Sequence, residues 1–150
     1  MSGIVTQPMQ PIAATPMDEP TPRLWTCEEY YRMADMGFFH GQRVELIEGE
    51  IVVLSPQKAE HWTTADRVAE LLRSGFGSAF HVRLQGPIDF GSLSEPEPDV
   101  AVVAGTRAQY ASQHPRTAVL IVEVSESSLA YDRTRKASLY ARAGIADYWI

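Results

Sequence analysis

The chain has 150 residues, 45% of them hydrophobic, which is enough for one ordinary globular domain with a usable core. Its one cysteine, Cys27, excludes an internal disulfide and suits a reducing cytoplasm, and no apolar run reaches the length of a membrane span. The net charge of −6 argues against a non-specific nucleic-acid coat, so a nucleic-acid role requires a local basic surface or a metal ion to offset acidic groups.

Residues 1–23 hold five of the ten prolines and little apolar periodicity, and they read as a flexible tail without the basic and apolar pattern of a secretory signal. The remainder, 24–150, reads as one domain. In "TCEE" the hydroxyl of Thr26 and the carboxylate of Glu29 form a capping box, predicting a helix that ends near Met36, before Gly37. "RVELIEGEIVVL" predicts a β-hairpin turning at Glu48-Gly49. Residues 58–73 predict a helix, with Ala65, Val68 and Leu72 on one stripe that His61 shares, broken by Gly75 and Gly77. "AFHVRLQ" and "PIDF" are short strand candidates, "GSLSEPEP" a loop, and "DVAVVAG" a strand. After the loop "SQHPR", the stretch "TAVLIVEVSESS" begins as a strand that is apolar on both faces, which predicts a central position in a sheet. Residues 132–143 predict a helix terminated by Gly144, and "DYWI" starts a strand that is either very short or continues past Ile150. Strands and helices mix without strict alternation, so the expected class is α/β with a mixed sheet.

Three charged residues sit where apolar ones are expected. Asp99 precedes a wholly apolar strand, as either a site carboxylate or a solvated strand start. Glu123 shares a strand face with Val119 and Ile121, and a buried carboxylate needs an ion, a donor or a route to water. Lys136 falls on the helical stripe of Leu139, Tyr140 and Ala143, where it either snorkels to solvent or meets Asp99 and Glu123. Asp132, one turn earlier, can pair with Lys136 or cap the helix. Two carboxylates at adjacent strand ends plus a lysine suit metal-assisted phosphodiester hydrolysis, since Mg2+ (or Mn2+) takes one or two carboxylates plus phosphate oxygens. His40, His81 and His114 lack zinc-type spacing, and Cys27 has no neighbouring base. Trp62, Tyr148 and Trp149 can stack on bases or serve packing.

The segments "EPEPDV", "LIVEVSESS", "DRTRKASLYARAGI" and "DYWI", with "VELIEGEIVVLSP" upstream, resemble in order the Uma-type (Uma two) family of endonucleases, of the PD-(D/E)XK, restriction-endonuclease-like superfamily. The resemblance covers roughly residues 24–150. It implies a restriction-endonuclease-like core, with a central mixed β-sheet flanked by helices, plus an N-terminal helix and β-hairpin. It implies that Asp99 and Glu123 are the acidic metal ligands, that the Val124 carbonyl is a further ligand, and that Glu45 is an assisting acid, which in the simpler reading is an exposed hairpin residue. Where the common pattern has lysine two residues after the second acid, this chain has Ser125, and the family's lysine on the following helix matches Lys136. His61 matches a position where the family often has histidine, and is either a satisfied half-buried side chain or a catalytic one. The resulting expectation is a cytoplasmic Mg2+-dependent DNA endonuclease, with a homodimer suiting cleavage of both strands. Two other readings stand beside it: a non-catalytic nucleic-acid- or protein-binding module that keeps the fold, and a structural ion-pair network of Glu123, Asp132 and Lys136.

Overall fold

The capping box of Thr26 forms as expected in the computed structural model, which describes residues 20–150. The Thr26 hydroxyl accepts from the Glu29 N–H at 3.2 Å, and the Thr26 N–H donates to Glu29 Oε2 at 3.0 Å, opening α1 (Cys27–Asp35). The tail expected over 1–23 lies outside the described residues up to residue 19, and residues 20–23 are exposed and irregular. Next come the hairpin strands β1 (Arg43–Ile47) and β2 (Glu50–Leu54), paired antiparallel. Glu48 and Gly49 both take positive φ, 53° and 79°, as a two-residue hairpin turn with native twist requires. A side chain at Gly49 would also strike Leu24, whose Cβ lies 2.6 Å from the position a Cβ would take.

The second helix, α2 (Ala59–Phe76), runs three residues past the expected end. Gly75 does not break it; Gly77, with φ 69°, does. Glycine inside a helix costs about 1 kcal/mol, but the extra turn brings Phe76 edge-on to Phe80 at 5.3 Å and onto the core, which offsets that.

The main sheet holds β3 (Phe80–Leu84), β4 (Val100–Ala104), β5 (Leu120–Val122) and β6 (Asp147–Trp149), in that spatial order. The first two pairings are antiparallel and the third parallel, so the sheet is mixed. The "PIDF" segment is not a strand. The N–H groups of Ile88, Asp89 and Phe90 go to Pro96, Pro115 and Ser94, so successive residues bond different segments and no ladder forms.

Alternation along β4 and β5 divides the core between two faces. Val100, Val102, Leu120 and Val122 pack against Ala65, Ala69 and Leu72 of α2. Ala101, Val103 and Ile121 pack on the other face with Ile88, Tyr140 and Ile145. The helix expected over 132–143 begins three residues earlier: α3 (Leu129–Tyr131) passes through a π-helical turn (Asp132–Lys136) into α4 (Ala137–Arg142). Asp132 is therefore an interior residue, not a cap. Among the described residues no helix is long and apolar enough to cross a membrane.

Candidate active site

The register of the sheet brings the first two acids together. Val100 pairs with Val122, so the next antiparallel pair outward is Asp99 with Glu123. Both lie one residue beyond the strand ladder, held by the backbone: Gln85 N–H donates to the Asp99 carbonyl (3.0 Å) and Glu123 N–H to the Trp149 carbonyl (3.0 Å). Asp99 Oδ2 accepts from the Val124 N–H at 2.8 Å, and Glu123 Oε2 receives a longer bond, 3.4 Å, from the Asp99 N–H. Asp99 and Glu123 retain 7% and 5% of their surface exposure, too little for a solvated strand start or a route to water.

Glu123 continues the Ile121 face, which points it at α4 and the π turn. There Lys136 Nζ donates to Glu123 Oε1 at 3.0 Å and to Glu45 Oε1 at 3.2 Å, while the Tyr140 hydroxyl donates to Glu123 Oε1 at 2.7 Å. Lys136 is 4% exposed, so it does not snorkel. Glu45, expected as an exposed hairpin residue under the simpler reading, is 1% exposed because β1 packs inward along this stretch. Its Oε2 also lies 3.2 Å from Lys136 Nζ but is misaligned and accepts no hydrogen bond among the described residues.

These burials shift the ionisation of the cluster. Desolvation alone would lower the Lys136 ammonium, but Glu123 and Glu45 outweigh it and raise the group well above the ordinary lysine value. Burial pushes Glu123 up to about 7, with Glu45 and Asp99 adding to the rise and Lys136 and Tyr140 opposing it. Burial also raises Glu45, against the pull of Lys136. Tyr140 is raised well above its usual range, first by burial and then by Glu123, so it stays a donor.

Asp132 does not pair with Lys136. It is buried and accepts from Ser125 Oγ at 2.5 Å and Ser128 Oγ at 2.6 Å. Ser125, which stands where the common pattern has lysine, thus ties the segment after Glu123 to the π turn that carries Lys136. The ion-pair network of Glu123, Asp132 and Lys136 is corrected accordingly: the second acid on Lys136 is Glu45. Arg135, adjacent to Lys136, binds Glu48 (3.3 Å), Glu50 (2.6 Å) and the Ile47 carbonyl (3.3 Å), locking the hairpin that carries Glu45 against this helix.

The cleft above these residues has a volume of about 120 Å³ and is also lined by His61, Gln57 and Val124. At about 30 Å³ per water it has room for a hydrated ion. Four buried carboxylates, Glu45, Asp99, Glu123 and Asp132, line the cleft with one buried ammonium, Lys136, an excess of acidic groups that a divalent cation would offset. The residues therefore fit such an ion. Among the described residues no three His, Cys, Asp or Glu side chains already stand in ligating geometry, so water and substrate oxygens would complete the shell, as is usual for Mg2+.

Other sequence candidates lie elsewhere. Trp62 and Trp149 are exposed, and Tyr148 packs edge-on against Tyr140 at 4.9 Å. The Cys27 thiol, raised by burial and by Glu95 and Asp89, donates to the Gly91 carbonyl at 3.2 Å. Sequence reasoning missed Tyr140 as a donor and the Ser125–Asp132–Ser128 tie. For Tyr140 the signal was present, since it shares the Lys136 stripe; the tie depends on the π turn, which the sequence does not announce.

No curated protein matches the chain. Among solved structures, a crystal structure described as a putative nuclease belonging to DUF820 from Anabaena variabilis is similar, with a TM-score of 0.59 at 15% identity. The match covers 77% of this chain and 66% of that one, and at this identity it shows a shared fold. The model of the Uma2 family, described as "Putative restriction endonuclease", matches residues 27–150. On that match, which spans the hairpin, both strand-end acids and the Lys136 helix, the chain belongs to the Uma2 family.

Proposed function

We propose that this protein is a cytoplasmic Mg2+-dependent (or Mn2+-dependent) endonuclease that hydrolyses DNA phosphodiester bonds. The observation that carries this reading is the pairing of Asp99 with Glu123 at one sheet end, with a buried, charged Lys136 joined to Glu123. Asp99, Glu123 and the Val124 carbonyl would hold the cation. When bound, it supplies Lewis-acid charge to the phosphate and lowers the pKa of attacking water.

The chain's own groups do the rest. Tyr140 and Lys136 fix the Glu123 carboxylate, so one ligand is held before substrate arrives. The Lys136 ammonium orients the water and offsets charge on the phosphoryl oxygen as the water oxygen bonds phosphorus and one ester P–O bond breaks. Glu45 holds Lys136 on its far side and would receive the water's proton. Lys58, ion-paired with Glu126 at the cleft mouth, is available to a phosphate once that exposed pair opens. A homodimer would let two such sites cut opposite strands.

The test is nicking of supercoiled plasmid in Mg2+ against EDTA, by the wild type, Asp99→Ala and Lys136→Ala. We expect Mg2+-dependent nicking lost in both variants. Nicking that survives both, or that never appears with the wild type, overturns the proposal. The second of these outcomes favours the alternative of a non-catalytic nucleic-acid- or protein-binding module, which the net charge of −6 supports.

A further inference from the structure

The hairpin wall of the cleft carries a charge that neither the strand-end acids nor Lys136 engages. Arg43 opens β1, and period-two alternation puts it on the same strand face as Glu45, about 7 Å further along the strand. Its cross-strand partner is Leu54, and both side chains line the cleft. Arg43 therefore stands at the open end of the hairpin, beside the segment that leads from β2 to Lys58 and α2.

Five side chains with nitrogen donors line the cleft: Arg43, Gln57, Lys58, His61 and Lys136. The last four are engaged. Lys136 holds Glu45 and Glu123, and Lys58 is ion-paired with Glu126. His61 Nε2 and the Gln57 amide both donate to Asp99 Oδ1, at 2.9 and 3.4 Å. Arg43 makes no ion pair and no side-chain hydrogen bond among the described residues, although acids line the same cleft. Burial raises the Glu97 carboxyl and Glu45 adds to the rise, while Arg43 opposes it, so the guanidinium stands within electrostatic reach of Glu97 without bonding it. The exposed Arg23, Arg32, Arg116 and Arg142 each close on an acid, yet half-buried Arg43 does not. A partly desolvated charge gains more from a partner than an exposed one does, which makes Arg43 the cationic group of the cleft ready for an incoming anion.

We infer that Arg43 is a phosphate-binding residue: its guanidinium takes the backbone phosphate next to the scissile one and so positions the DNA strand over Asp99 and Glu123. The planar fork of a guanidinium matches two phosphate oxygens at once. Together with Lys58 it gives the acid-floored cleft a basic rim on the hairpin side. That rim is the local positive surface that a chain of net charge −6 needs in order to hold DNA. The inference rests on the proposed phosphodiester hydrolysis and adds the residue that sets the strand's register there.

The test couples a variant to a chemical change in the substrate. The cut is first mapped on a labelled oligonucleotide duplex in Mg2+, and kcat and KM are measured for the wild type, Arg43→Ala and Arg43→Lys. Duplexes with one neutral methylphosphonate on either side of the mapped cut are then compared. We expect Arg43→Ala to raise KM about tenfold or more, the worth of one charge-assisted hydrogen bond, with kcat held within about threefold. Arg43→Lys, which keeps the charge but not the fork, should fall between on every readout. In the wild type, one of the two methylphosphonates should raise KM to a similar extent. In Arg43→Ala that same methylphosphonate should add less than about twofold, because the contact is already gone. A merely structural Arg43 would leave the methylphosphonate effect intact. An unchanged KM in Arg43→Ala, or methylphosphonate effects as large in both variants as in the wild type, overturns the inference while the nuclease reading stands. If the wild type cuts no duplex, the proposed function fails and the inference with it.

Discussion

Replacing Lys136 with methionine is the sharpest perturbation of the buried cluster. In the metal-free protein it leaves Glu45 and Glu123 buried without their shared cation, with Tyr140 the remaining donor to Glu123. Removing one partner of a buried ion pair costs about 3–5 kcal/mol, because the other charge is left uncompensated. With a urea m-value of roughly 1.5–2 kcal/mol/M, the unfolding midpoint should fall by about 2 M. Glu45→Gln is the informative comparison. It removes one of the two carboxylates paired with Lys136 and keeps the 3.0 Å bond from Lys136 to Glu123. Its midpoint should move by no more than the equivalent of ~1 kcal/mol, in either direction. The assay is urea unfolding in EDTA at pH 8, followed by tryptophan fluorescence and circular dichroism. Equal losses in the two variants, or a Lys136→Met loss within that small range, would refute the charge balance inferred for the cleft.

Three further outcomes follow from the same groups. Glu123 has a folded-state pKa raised above its unfolded value, so the folded state holds more protons between roughly 4.5 and 7, and stability from this group falls as pH rises across that window. In EDTA the wild type should therefore lose more melting temperature between pH 5 and pH 8 than Glu123→Gln; parallel profiles would contradict the raised value. Lys58→Ala should weaken duplex binding and flatten the slope of log K against log salt by about 0.9, the share of one phosphate contact, and an unchanged slope would remove Lys58 from the interface. Arg135→Met should speed amide exchange in β1 and β2, since Arg135 ties both the turn and the Ile47 carbonyl to the π turn, and unchanged exchange there would show that the hairpin is held otherwise.

Much of this placement was legible because two periodicities converge. Period two along "LIVEV" put Glu123 on the face opposite α2, and period 3.6 put Lys136 on the stripe of Leu139 and Tyr140, so the two were aimed at each other before any contact was known. The order of apolar segments likewise carried the mixed sheet and the hairpin. What stayed hidden depended on contacts between segments distant in sequence. Glu45 looked exposed because hairpin patterning cannot reveal that β1 bridges to Glu95 through Leu46 and is covered there. The π turn hides in an ordinary helical pattern, so the helix start was misplaced and Asp132 was read as a cap or as a partner of Lys136. "PIDF" has strand composition, but its successive N–H groups alternate between two different loops. His61 was visible as a stripe member, yet its approach to Asp99 depends on where α2 docks along β4, which its own pattern does not reveal.

In the proposed function, Asp99 and Glu123, brought to paired positions by the β4–β5 register, hold a divalent cation beside Lys136. Calorimetric titration of Mg2+ into the wild type and into Asp99→Asn tests it most directly. The expected result is one site per chain in the wild type, with millimolar or tighter affinity, and no measurable site in the variant. Binding that is unchanged in Asp99→Asn, or absent from the wild type, would contradict the claim.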